Sequence, residues 1–439
     1  MDNTDFEKKS FIYEELKAPV TAQLETTYKC TNRCNYCYNS WRGRKNLLKT
    51  SLSKEDSFII SKKLVEAEVF EVVLTGGEPL LRRDIVYPCA NYLSSNNVDI
   101  GLNSNLVLLK EEDIQRIRDA GISRVFASLP SSDENLYNYI TETKAFKRVI
   151  KSIEEIVKNK LPLGINMVVT KTNKNQVYDV GKFLYEQGVK YFSATPASPC
   201  TFMPRKLELN KEEVIHTLDD LLRIQEDFNL IVDVVEPIPK CITNNSEKYE
   251  QFFKRDCAAG KLTIAISPSG IVRPCTHVTK EYGNLITEDL SVIWKRMEPW
   301  RKGNYIPEDC YECAENDVCS FGCREAAKIE TGTYSGMEPW ATGPLEKKQR
   351  KINIQELSEK ERLRIIPNLR FRKEKRGYFV FSPRDHSAVY INKEFFKILS
   401  FLNQKEGFVI NDLKKKYENS NGLFNIIKYL NSRGLVESW

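Results

Sequence analysis

Between residues 20 and 195, short apolar runs alternate with longer amphipathic stretches. The runs predict strands over 22–27, 71–74, 98–103, 124–129, 163–170 and 190–194. The stretches between them predict helices over 54–67, 84–93, 111–120, 133–141, 146–158 and 175–187. In the fifth of these, Phe146, Val149, Ile150, Ile153, Ile156 and Val157 recur at three- and four-residue spacing and share one helical face. Strand and helix in strict alternation imply a parallel sheet, an α/β fold. Such architectures place their chemistry at the carboxyl ends of the strands.

From about 245 to 345 cysteine, glycine and proline rise and the periodicity fades, except around 290–297. Small metal-stapled folds have this texture because the metal replaces part of a core. Residues 346–365, rich in Lys, Arg and Glu, read as a charged linker. The rest predicts strands over 370–372, 377–381 and 387–391, helices over 393–403, 409–417 and 423–433, and a last strand over 435–437. Three small strands with three helices make a winged-helix-like α+β pattern. The predicted division is therefore 1–240, 241–345, a linker over 346–365, and 366–439.

A chain of 439 residues has length for about three domains. A mean hydropathy of −0.45 marks a soluble chain, and no apolar run approaches the ~20 residues of a membrane span. The amino terminus mixes charges and lacks an apolar core, so it does not read as a signal peptide. A cytoplasmic protein is expected, in which twelve clustered cysteines read as metal ligands and not as a disulfide framework. The net charge of +6 permits a polyanionic partner without requiring one.

Cys30, Cys34 and Cys37 form a C-x3-C-x2-C loop directly after the first predicted strand. Three such thiolates can hold a 4Fe-4S cube and leave its fourth iron open to a substrate or cofactor. Thr75-Gly76-Gly77-Glu78-Pro79 follows at the end of the second strand. A zinc loop closed by a distant ligand would have the same cysteine spacing, but three histidines (His216, His277, His386) leave few imidazole partners. In order and spacing the two motifs resemble the radical S-adenosylmethionine (SAM) superfamily. That resemblance implies a partial (β/α)6 barrel, SAM chelated by the open iron, and reductive cleavage to a 5′-deoxyadenosyl radical. It also implies that Tyr36 lies against the adenine and that Gly76 and Gly77 allow close backbone approach. Glu78 would take the methionyl ammonium, and Ser128 would stand near the ribose. The chain departs from the family at Asn103-Ser104-Asn105, at Leu129-Pro130-Ser131, and near Thr141, where an arginine is usual.

A second group reads Cys257, Gly270, Cys275, then Cys310, Cys313, Cys319 and Cys323. Its spacing resembles the SPASM extension, which holds one or two auxiliary 4Fe-4S clusters; a zinc ribbon would suit the C-x2-C pair equally. Ser269-Gly270 would turn a β-hairpin, and Gly283-Asn284-Leu285 is a further family feature. By resemblance Cys257, Cys275 and Cys323 serve the nearer cluster, and Cys310, Cys313 and Cys319 the farther one. No cysteine follows Cys323 where the family usually has one. The farther cluster then lacks a ligand, takes a carboxylate such as Glu338, or borrows Cys241 or Cys200. Cys241 is read as the best fourth ligand for the nearer cluster, Cys89 as packing, and His277 as a local hydrogen-bonding residue.

The carboxyl-terminal pattern resembles the peptide-recognition element of ribosomal-peptide maturases. In that family a leader peptide adds as a strand to the three-stranded sheet, a β-augmentation. Arg370, Arg372, Lys373, Lys375 and Arg376 would suit an acidic leader. The function implied is modification of a ribosomally made precursor peptide by hydrogen-atom abstraction, closing a thioether or carbon–carbon crosslink. An electron donor such as flavodoxin or ferredoxin would serve it, with no membrane or nucleic-acid partner. The rivals are a peptide epimerase, a sulfatase-maturing enzyme and an iron–sulfur redox sensor that binds DNA. Thr276 stands where sulfatase maturases carry an Asp, which counts against the second; a mainly apolar 423–433 counts against the third.

Overall fold

The computed structural model describes residues 16–39, 50–201, 203–316, 318–346, 358, 360–383, 388–411, 427–428, 430–431 and 435–438. The chain divides into two compact units, Ala18–Lys347 and Lys348–Trp439, the second also taking in Glu14–Lys17.

The first unit is built on one sheet. Its strands are β1 (Thr21–Glu25), β2 (Glu71–Thr75), β3 (Asp99–Ser104), β4 (Arg124–Ser128), β5 (Leu163–Val169), β6 (Tyr191–Pro196), β7 (Ile231–Asp233), β8 (Thr263–Ile266), β9 (Ile271–Arg273) and β10 (Gly283–Asn284). The order β10-β9-β8-β1-β2-β3-β4-β5-β6-β7 is linear, so the barrel is partial, with β10 and β7 as its edges. Strands β1 to β7 pair in parallel. Each of the first six predicted strands has its counterpart among them. β7 was not read from the sequence: it is three residues long and Ile231 is exposed, so it carries no alternation.

The intervening helices bury the faces their spacing predicts. In Phe146–Lys158, Val149, Ile153 and Ile156 are wholly buried. Lys54–Glu66 begins where the Ser53 hydroxyl accepts from the Asp56 amide, 3.0 Å away. Cys89 is buried on Arg83–Ser95.

The cysteine-rich segment does not stand apart from this sheet. β8 lies parallel to β1 (Thr21 opposite Thr263), and β9 turns back on it (Ile266 opposite Val272). Gly270, at φ +82°, makes that turn, with its amide 2.9 Å from the Ser267 carbonyl.

In the second unit β12 (Arg370–Lys373), β13 (Gly377–Phe381) and β14 (Ala388–Asn392) form an antiparallel sheet in that order. The helix Lys393–Asn403 follows. A second sheet, β15-β11-β16, joins Phe408–Val409, Arg362–Ile365 and Val436–Ser438. Arg362–Ile365 therefore corrects the charged-linker reading at its end: Leu363 and Ile365 alternate inward and are buried beneath the exposed arginine pattern. Their core includes Val380, Ile391, Leu399 and Leu430. The predicted helices over 409–417 and 423–433 fall mostly outside the described residues. Among the described residues no helix is long and apolar enough to cross a membrane.

Candidate cofactor site

The Cys30–Cys37 loop leaves the carboxyl end of β1 and is fastened on two sides. The Arg33 and Asn35 amides donate to the Thr141 and Ile140 carbonyls, at 2.9 and 3.0 Å. These are end-of-helix carbonyls that helix Glu134–Thr141 cannot satisfy itself. On the other side the Gly77 amide lies 2.6 Å from the Thr27 carbonyl, and the Glu78 amide 2.8 Å from that of Lys29.

That second contact explains the paired glycines. A Cβ on Gly77 would stand 2.0 Å from the Lys29 carbonyl oxygen, and one on Gly76, at φ +130°, 2.5 Å from that of Thr27. Both conflicts are with backbone, which cannot swing aside as a side chain can. The glycines thus let the cysteine loop lie directly on the turn after β2.

Glu78 is wholly buried and holds three donors: the Leu80 amide (3.0 Å), the Ser104 hydroxyl (2.8 Å) and the Asn105 amide (2.8 Å). Burial raises its pKa, against the pull of those donors. Asn105, not singled out from the sequence as a site residue, links the pieces. Its Nδ2 donates to the Thr31 hydroxyl at 2.9 Å and approaches Cys30 Sγ at 3.6 Å, while the Asn32 amide lies 3.4 Å from the same sulfur. The signal was present as a family departure, Ser104-Asn105 at the end of β3.

Tyr36 is buried in a cluster with Ile140, Ala197, Cys200 and Met203, against Cys34. Burial raises its pKa, and the neighbouring Cys34 raises it further. Cys200 is thereby placed beside the first cysteine loop and away from the auxiliary pocket. Ser128, half-buried, ends β4 opposite Asn166.

A buried ion pair crosses from the end of β1, just before this loop, to the cysteine-rich hairpin. Arg273 donates to Glu25 at 2.6 Å, and it also donates to the Thr276 carbonyl at 3.2 Å. Tyr38 packs on His277, ring centroids 4.4 Å apart. Residues 248 apart in sequence so hold the two cysteine regions in register.

Beyond the hairpin the remaining cysteines sort into two sets. Cys257 acts electrostatically on both Cys275 and Cys323, and Glu236 acts on the same two thiols. Burial pushes Cys275 up to about 12, and Cys257 adds to the shift. The second set, Cys310, Cys313, Cys319 and Cys241, lines one pocket. Burial pushes Cys310 up to about 12, with Cys319, Cys241 and Cys313 raising it further. Cys241, read from the sequence as a fourth ligand for the nearer set, is therefore corrected to the farther one. The segment after β7 carries it there, and a spacing count cannot follow that turn.

These thiols fit iron–sulfur clusters by their chemistry. Crowded, buried thiols resist ionisation until a cationic centre stabilises the thiolates. Backbone amides already face the sulfurs, with Lys240 and Phe321 directed at Cys319 (3.5 and 3.4 Å) and Leu345 at Cys313 (3.3 Å). Glu338 lies in the same pocket with one carboxylate oxygen hydrogen-bonded to the Trp340 amide and the other unpartnered.

Residues 24–184 match the radical SAM superfamily, and residues 257–314 match the SPASM iron-sulfur cluster-binding domain. The chain thus carries a radical SAM domain followed by a SPASM domain, the pairing of a radical SAM enzyme. Its cofactors are SAM and 4Fe-4S clusters. It is similar to the PqqA peptide cyclase of Bradyrhizobium diazoefficiens, 26% identical over 76% of this chain and 88% of that one. It is also similar to the AdoMet-dependent heme synthase of Methanosarcina barkeri, 24% identical over 74% of this chain and 96% of that one. In fold it resembles SuiB of Streptococcus suis bound to precursor peptide SuiA, with a TM-score of 0.60 at 18% identity over 75% of this chain and 77% of SuiB.

Proposed function

We propose that this radical SAM enzyme oxidatively crosslinks a ribosomally made precursor peptide, closing a thioether or a carbon–carbon bond. The observation that carries the reading is the pair of auxiliary thiol sets behind a SAM-type cysteine loop. The peptide-cyclase relative supports a peptide as substrate, as does the peptide-bound SuiB neighbour.

When bound, SAM and the first cluster supply a 5′-deoxyadenosyl radical, and the auxiliary clusters supply an acceptor for one electron. In this reading Cys30, Cys34 and Cys37 hold the first cluster. Cys257, Cys275 and Cys323 hold the nearer auxiliary cluster, and Cys310, Cys313 and Cys319, with Cys241, the farther one. An ionised carboxylate offers about four acceptor sites; Glu78 has committed three, leaving room for the methionyl ammonium. Tyr36 would close the apolar side of the site toward the adenine, and Ser128 would stand near the ribose. For a thioether the peptide loses a C–H hydrogen atom, then one electron and the thiol proton, as the C–S bond forms.

The second unit is proposed as the leader-binding element. Among the described residues β12 and β14 are the outer strands of the antiparallel sheet, the position at which β-augmentation would add a strand. Its acidic-leader preference rests on fewer residues than the sequence suggests. Arg372 is wholly buried and bonds Glu374 at 2.6 Å, so it is removed from the basic face. That burial also weakens a DNA-binding reading. Sulfatase-type maturation is disfavoured because Thr276 offers no carboxylate base. Reductive chemistry of this kind suits a cytoplasm served by flavodoxin or ferredoxin.

The test is anaerobic turnover with reductant, SAM and the peptide encoded beside this gene. Formation of 5′-deoxyadenosine together with peptide lighter by two hydrogens is expected. Peptide of unchanged mass but inverted stereochemistry would replace crosslinking by epimerisation. Absence of 5′-deoxyadenosine under every condition would overturn the proposal.

A further inference from the structure

The nearer auxiliary set has three thiols, and the rest of the cysteines are committed elsewhere. Of the twelve, Cys30, Cys34 and Cys37 belong to the first loop, and Cys241, Cys310, Cys313 and Cys319 to the farther pocket. Cys200 packs beside Tyr36, and Cys89 is buried on its own helix. No thiol is left for a fourth position beside Cys257, Cys275 and Cys323.

Two other donors do stand there. Glu236, His277 and Cys323 offer ligand atoms that all lie within 4.8 Å of one another. Glu236 leaves the carboxyl end of the barrel just after β7, and its Oε1 is 3.6 Å from His277 Nε2. His277 already packs against the Tyr38 ring. The carboxylate acts directly on both Cys275 and Cys323. Arg255 bonds Asp233 at 2.7 Å and also feels the Glu236 charge.

We infer that Glu236 is the fourth protein ligand of the nearer auxiliary cluster. The two auxiliary sites are then unlike, one bound by four thiolates and the other by three thiolates and a carboxylate. This rests on the reading that both auxiliary clusters are present. A carboxylate donates less strongly than a thiolate and exchanges more readily. The nearer cluster accordingly has one distinct iron and the higher reduction potential.

The experiment uses full-length protein in a Cys30→Ala, Cys34→Ala, Cys37→Ala background, reconstituted anaerobically with isotopically enriched iron. Iron content, Mössbauer and EPR spectra and circular dichroism are measured with and without changes at Glu236. The parent should hold about eight irons, one of them spectroscopically distinct. Glu236→Cys should keep the iron count and abolish the distinct subsite, and Glu236→Ala should lose that iron and leave a three-iron signal. Unchanged spectra in both Glu236 variants would overturn the assignment alone. So would loss of the subsite in His277→Ala with retention in Glu236→Ala. About four irons in the parent, or zinc, would overturn the two-cluster reading itself.

Discussion

The first cysteine loop and the auxiliary sites solve the same ligation problem in opposite ways. Cys30, Cys34 and Cys37 come from one short loop whose shape is set by neighbours that are already folded: the end of helix Glu134–Thr141 and the glycine turn after β2. The auxiliary thiols come from scattered segments between Cys241 and Cys323, where regular structure is sparse. A loop carried on a finished barrel keeps its form when the metal leaves. A region whose core is partly the metal does not. Chelation should therefore disorder the cysteine-rich segment long before the barrel. Hydrogen exchange that rose equally in both regions of the iron-free protein would break the comparison.

The largest single effect should come from the loop itself. Replacing Cys30, Cys34 and Cys37 by alanine should lower 5′-deoxyadenosine formation by at least about a thousandfold, with the barrel still folded by circular dichroism. Retained turnover would end the proposal. Next is the link between the regions. Arg273→Met strands the buried Glu25 carboxylate and should cost about 3–5 kcal/mol in denaturation. The double variant with Glu25→Leu should recover much of that loss, which a merely local packing defect would not show.

Gly77→Ala should follow at about 1–3 kcal/mol, the range for forced overpacking, because its methyl meets the Lys29 carbonyl. It should also weaken SAM binding, since the cysteine loop must lift off the turn; a wild-type Kd would argue that the two are not coupled. The smallest effect belongs to Asn105→Ala, about 1 kcal/mol for the hydrogen bonds lost. Its value is diagnostic. A changed EPR signal of the first cluster would show that Asn105 tunes Cys30, whereas a stability change alone would make it scaffold.

The second unit sharpens the same contrast. Arg372 and Arg370 are two positions apart on one strand, indistinguishable as charges in the sequence. One is buried on Glu374 and the other is half-buried. Alternation on β12 would have predicted that they share a face, and it says nothing of a partner carboxylate beneath.

What the sequence determined by itself was everything with a short-range period. Strand and helix alternation, the C-x3-C-x2-C loop and its Gly-Gly-Glu companion follow from residues within a few positions of each other. Local sterics and a repeating apolar face are enough to decide them. Tertiary structure alone decided which side chains join those cysteine sets from outside their motifs. Cys241 joins the farther set and Glu236 faces the nearer one because the chain turns after β7 and again through the hairpin β8–β9. Those turns are set by pairing of β8 with β1 and by the Glu25–Arg273 ion pair, contacts between residues more than two hundred positions apart. Their partners are chosen by burial, which no spacing count records.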